Sequence, residues 1–199
     1  LCEEGKNKLT GIELSDSIVL DPHKGLFVPY GSGSLLVKEG ELLRRAHTMT
    51  ADYLQDHDTP EGEVSATEYS PELSRAFRGL RVWLPLKLFG VQAFRENLAE
   101  KLRLAQWLYR RLQEEPGIEC LCAPDLSVVA FRFHPKSGDV DDFNRRLLRD
   151  IIQSKKLFLS STLLKGKFVL RACVLSFRTH QAEVEEAFEV LTSEARKLQ

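Results

Sequence analysis

A mixed α/β chain closing on a small α+β domain is what the sequence predicts, and three observations predict it. Two short apolar runs, Ser17–Leu20 (SIVL) and Ser34–Lys38 (SLLVK), are joined by a compact connection that carries Gly31-Ser32-Gly33. They read as strands at the edge of a larger sheet. Apolar residues then recur at helical spacing from Leu80 to Leu112. Beyond Pro116-Gly117 the texture changes again, to strand–strand–helix–strand–strand–helix.

Taken in order, Ser17–Leu20 is expected to be a buried strand ending in a turn at Asp21-Pro22, with Ser34–Lys38 as its neighbour. Glu39–Ala46 is expected to be a helix. Thr50–Ser70 has weak periodicity and holds Pro60 and Gly62, so it reads as a long loop of the kind that usually serves function. Ser70 and Pro71 have the chemistry of an N-cap and first helical residue, which predicts a helix from there. Pro85 and Gly90 should bend or break the helical run carrying Trp83, Leu88, Phe94, Leu98, Leu102 and Leu108. Ile118–Cys122 and Ser127–Phe133 follow as strands, then Val140–Gln153 as an amphipathic helix with Phe143, Leu147, Leu148 and Ile151 on one stripe. Leu157–Leu163 and Phe168–Leu175 are two further strands around Lys165-Gly166-Lys167. Gln181–Leu198 closes the chain as a helix with Thr179 as its expected N-cap.

Composition excludes several classes. The 199 residues carry 28 Lys+Arg against 29 Asp+Glu, a net charge of −1, which argues against bulk electrostatic binding to nucleic acid or anionic membrane. No apolar run approaches the roughly 20 residues of a membrane helix, and nothing at the start resembles a signal peptide. Cys2, Cys120, Cys122 and Cys173 are scattered rather than arranged as a disulfide framework, so a reducing cytoplasm is the expected compartment. Cys120-x-Cys122 lacks a second pair of ligands, and no metal is expected. The chain opens on Leu1 rather than Met, as expected of part of a longer protein.

The segment richest in chemistry is Ser15–Gly25 (SDSIVLDPHKG). A lysine directly after a histidine, just past a strand, is placed to be held rather than freely solvated. A partly desolvated amine has a lowered pKa and can attack an aldehyde. On the residues alone, an exposed loop lysine is the simpler reading of the pair.

The run SDSIVLDPHKGLFVPYGSGSLLVKEG closely resembles the lysine segment of the pyridoxal-phosphate-dependent group II amino acid decarboxylases. EYSPELSRAFRGLRVW (68–83) is similar to the segment after that family's mobile loop, and FVLRACVLSFRTH (168–180) to its C-terminal strand and turn. The resemblance implies the end of a fold-type-I large domain over residues 1–90 and a small α+β domain over 91–199. It implies pyridoxal 5'-phosphate as cofactor, an amino acid substrate, and a homodimer with the active site at its interface. Residue by residue, it makes Lys24 the lysine of the internal aldimine and His23 the adjacent cofactor-contacting, proton-transferring histidine. It puts Asp21 near the cofactor phosphate. Arg171 matches an arginine that binds a substrate carboxylate in glutamate-type relatives, and a structural ion pair is the other reading of it.

The departures are informative too. The aspartate, histidine and phosphate-gripping hydroxyls that relatives carry upstream of the lysine have no counterpart here, so most of the cofactor cradle is expected before Leu1. Tyr53, Tyr69 and His57 lie in or beside the Thr50–Ser70 loop, but none aligns with the family's loop tyrosine. Arg75, Arg78, Arg81 and Lys87, interleaved with Phe77, Leu80 and Trp83, read as the polar face of an amphipathic helix. The resemblance implies decarboxylation of an L-amino acid through a Lys24 aldimine, by an enzyme of which this chain is a carboxy-terminal portion. The alternatives are a non-catalytic fragment or degenerate homologue serving as a dimerisation or binding module, and oxidative deamination with the same cofactor.

Overall fold

The computed structural model describes residues 1–47 and 65–199. They form two compact units, Gly11–Leu88 and Leu1–Thr10 with Phe89–Gln199.

In the first unit β1 (Ser17–Leu20) and β2 (Ser34–Val37) form an antiparallel ribbon, with Ser17 opposite Val37 and Leu20 opposite Ser34. The helical turn α1 (Pro22–Gly25) lies between them, and α2 (Gly40–His47) follows. The strands fall where the apolar runs predict them, but they are not buried. Val19 is 73% exposed, and Leu35 and Leu36 are about half exposed. A two-stranded ribbon alternates its side chains between two faces, and it cannot cover both by itself.

The helix predicted from Pro71 starts instead at Leu80. Residues 71–79 are irregular because their polar side chains satisfy one another locally. Arg78 grips both oxygens of Glu72 at 2.6 and 2.9 Å, and Arg75 donates to Ser70 Oγ at 3.1 Å. Arg75 and Arg78 therefore do not belong to an amphipathic helical face. The long helix α3 (Leu80–Glu114) is two helices meeting at Gly90, whose φ of 75° and ψ of 156° are non-helical. Only glycine adopts that conformation without strain, so the expected break falls there. Pro85 stays inside the first of the two helices.

The second unit holds the hydrophobic core. β3 (Ile118–Cys120), β4 (Val128–Phe133), β5 (Ser160–Leu164) and β6 (Lys167–Cys173) make an antiparallel sheet in the order β3-β4-β6-β5. Lys165 and Gly166 both have positive φ, the requirement of the tight two-residue turn joining β5 to β6. Two longer helices of the unit follow in the chain, α4 (Val140–Ser154) and α5 (Gln181–Leu198). Phe131 and Phe133 of β4, Phe168 and Leu170 of β6, Phe143, Leu147 and Ile151 of α4, Leu191 of α5 and Leu108 and Leu112 of α3 form one buried cluster.

Both late helices have side-chain stops. Asp139 Oδ1 accepts from the Asp142 amide at 2.8 Å to start α4. The N-cap of α5 is His180 rather than Thr179: its amide donates to Glu183 Oε2 at 2.8 Å. Thr179 is used differently, its carbonyl accepting at 2.6 Å from the fully buried Lys101 Nζ, which also donates to Glu100. Among the described residues no helix is long and apolar enough to cross a membrane, and no cluster of three His, Cys, Asp or Glu side chains is placed to hold a metal.

Candidate active site

The site is built where β1 ends. Pro22 occupies the first helical turn, where its missing N–H costs nothing and its fixed φ suits the helix. The turn closes through the Lys24 amide to the Asp21 carbonyl at 2.9 Å and the Leu26 amide to the Pro22 carbonyl at 3.0 Å. Asp21, His23 and Lys24 thereby come together on four consecutive residues.

Lys24 Nζ donates to Asp21 Oδ2 at 2.6 Å. That hydrogen bond, backed by the charge of Asp21, raises the lysine above its ordinary value and lowers the aspartate below its own. The expectation of a desolvated lysine with a lowered pKa is therefore corrected. Its side chain is 58% exposed, and the neighbouring carboxylate favours the charged form. Held, however, it is.

His23 is far less accessible, with 15% of its side chain exposed, and its Nε2 lies 4.0 Å from Asp21 Oδ1. Its ring stacks on Tyr30 with centroids 4.9 Å apart and planes at 28°. Its Nδ1 is buried without a hydrogen-bond partner among the described residues. Such an orphaned atom is costly and marks a place where a partner belongs.

Tyr30 is a site residue that sequence reasoning missed. Arg81 Nη1 donates to its carbonyl at 2.5 Å. Gly31 follows with φ of 82°, and any Cβ there would meet that guanidinium at 2.6 Å. Ser32 Oγ donates to the Pro29 carbonyl at 2.8 Å and closes the turn. The available signal was Pro29-Tyr30-Gly31, a turn-forming triplet that puts an aromatic within reach of a histidine.

The other expected residues lie elsewhere. Arg171 is on β6, in the other unit, exposed and without an ion-pair partner among the described residues. Tyr69 is half-buried in a short 3₁₀ turn, Ala66–Tyr69. Tyr53, His57 and most of the Thr50–Ser70 loop lie outside the described residues. Cys120, half-buried, has its thiol pushed up to about 11 by desolvation, the behaviour of a packed side chain rather than a nucleophile or ligand.

With an antiparallel ribbon carrying a Pro-His-Lys turn and a helix-backed four-stranded sheet, the chain is a mixed α/β protein, and its solved structural neighbours have the fold-type-I architecture. Residues 1–134 match the model of the pyridoxal-dependent decarboxylase conserved domain, and the chain belongs to that family. It is 36% identical over 189 residues to an aromatic-L-amino-acid decarboxylase of Bacillus atrophaeus, covering 92% of this chain and 39% of the relative. It is 32% identical to tyrosine decarboxylase 2 of Arabidopsis thaliana, covering 99% of this chain and 37% of the relative. An Oryza sativa TDC crystallised with PLP and tryptamine superimposes with a TM-score of 0.90 at 25% identity, over 99% of this chain and 42% of that one. The chain thus spans about two fifths of the length of the relatives it matches.

Proposed function

We propose that this chain supplies the lysine-bearing carboxy-terminal portion of an enzyme that decarboxylates an L-amino acid with pyridoxal 5'-phosphate, acting as a homodimer. The observation that carries the reading is the accessible Lys24 amine beside a sheltered His23 whose Nδ1 has no partner among the described residues. This donor set suits the cofactor: a primary amine for its aldehyde, and an aromatic nitrogen base stacked on a second ring for its polar ring system. When bound, pyridoxal phosphate supplies a protonated ring that draws off the electrons left as a carboxylate departs as carbon dioxide.

This chain's residues then have separable tasks. Lys24 carries the cofactor and must give up a proton at Nζ to do so. His23, fixed by its stack on Tyr30, presents a ring nitrogen that can hold or move a proton near the reacting centre. Asp21 lies within reach of both side chains. Arg171, exposed and unpaired among the described residues, has the fork geometry to orient a carboxylate. The named relatives make an aromatic amino acid the first substrate to offer, and an acidic one is the contrast that Arg171 suggests.

The test is borohydride trapping of the full-length protein with added pyridoxal phosphate, followed by peptide mapping. Label concentrated on Lys24 and lost in Lys24→Ala supports the reading. Label spread over many lysines sinks it, and leaves the non-catalytic binding module as the better account.

A further inference from the structure

Asp21 touches both His23 and Lys24, and its contact with Lys24 is the closer. Asp21 stands at the N-cap of α1, yet its carboxylate caps no backbone N–H. Oδ2 instead accepts from Lys24 Nζ at 2.6 Å. The backbone enforces the pairing: the Lys24 amide bonds the Asp21 carbonyl at 2.9 Å, which sets the two side chains one turn apart on the same side. The other titratable groups around the pair are His23, with Nε2 4.0 Å from Oδ1, and Tyr30. A carboxylate is also a poor neighbour for a phosphate, because like charges repel.

We propose that Asp21 is a positioning residue for Lys24, a counter-ion that turns the ammonium back onto α1 and keeps it charged until a carbonyl ligand competes it away. The proposal rests on the reading of Lys24 as the cofactor amine. Only the neutral amine forms a bond to a carbonyl carbon, so the ammonium must first leave Asp21 Oδ2 and release its proton to solvent. Asp21 therefore sets the pH at which the site can be loaded and the direction from which the amine approaches. Asp21→Asn keeps the shape and an acceptor oxygen but removes the charge.

The experiment is competitive labelling of the cofactor-stripped full-length protein with acetic anhydride across a pH series, with peptide mapping. Exposed Lys38 and Lys136 serve as internal references in the same digest. Lys24 is expected to label more slowly than both near neutral pH in the natural sequence. Asp21→Asn should raise its rate about two- to fivefold and move its pH profile to lower pH, while Asp21→Glu stays near the natural rate. The proposal is overturned if Lys24 labels like the reference lysines, a comparison that needs no variant, or if Asp21→Asn leaves its profile unchanged. Trapping with pyridoxal phosphate runs in parallel. Capture at another lysine would sink the functional reading while the anhydride comparison still reports on Asp21.

Discussion

Asn144 offers the sharpest test of how the second unit is held together. β4 pairs with β6 only from Val128 to Phe131, although β6 runs on to Lys167 alongside β5, so by Phe133 the two strands have parted. In an antiparallel sheet, backbone groups point alternately to the two neighbours. The His134 amide turns toward β3 and finds the Gly117 carbonyl at 2.7 Å. Phe133 turns the other way, and the fully buried side-chain amide of Asn144 on α4 takes the place of the β6 backbone. Its Oδ1 accepts from the Phe133 N–H at 2.9 Å, and its Nδ2 donates to the Phe133 carbonyl at 2.8 Å and to the Val140 carbonyl at 2.7 Å. Asn144→Ala orphans one buried donor and one buried acceptor, each worth about 1–3 kcal/mol. The summed loss should be about 2–6 kcal/mol. Asn144→Asp should cost at least as much, since it loses both donors and buries a charge. Denaturant unfolding reads the total, and amide hydrogen exchange of the β4 peptide reads the place. A loss below about 1 kcal/mol, or a loss with unchanged exchange at Phe133, would refute the argument.

Two further predictions come from titratable groups. Hydrogen bonds from Lys167 and His134 hold the Glu119 carboxyl below the ordinary glutamate range. A carboxyl depressed on folding contributes stability above its unfolded value and loses it as pH falls through the folded one. Stability should therefore weaken on acidification from about pH 4.5 downward, and Glu119→Gln should flatten that limb in an acid-unfolding series. An unaltered acid limb would count against the pairing. With its thiol pushed up to about 11, Cys120 should alkylate much more slowly near neutral pH than the exposed Cys122 and Cys173, as followed by iodoacetamide labelling and mass spectrometry. Equal rates would place Cys120 outside the core.

Much of the architecture was legible in local sequence. The Lys165-Gly166 turn and the amphipathic stripe of α4 are short-range signals, and the elements they announce are present at close to their expected limits. The final helix, Gln181–Leu198, begins and ends where its pattern said. The misread places are those where a distant or irregular partner decides. Ser70-Pro71 has good capping chemistry, yet Arg78 and Arg75 take Glu72 and Ser70 for themselves and defer the helix to Leu80. Thr179 looks like a cap by type, but the buried Lys101, 78 residues earlier in the chain, claims its carbonyl and leaves the capping to His180.

The same division holds at the site. The sequence by itself determined the chemistry on offer, since Asp21-Pro22-His23-Lys24 following a strand places a carboxylate, an imidazole and an amine on one turn whatever surrounds them. Tertiary structure decided their states. It left Lys24 exposed and ion-paired instead of desolvated, brought Tyr30 against His23, and buried one imidazole nitrogen without a partner among the described residues. Which atoms share a turn follows from covalent connectivity and backbone geometry, both written in the local sequence. Proton affinity and burial depend on what the rest of the fold packs against those atoms, and that is settled only once distant segments meet.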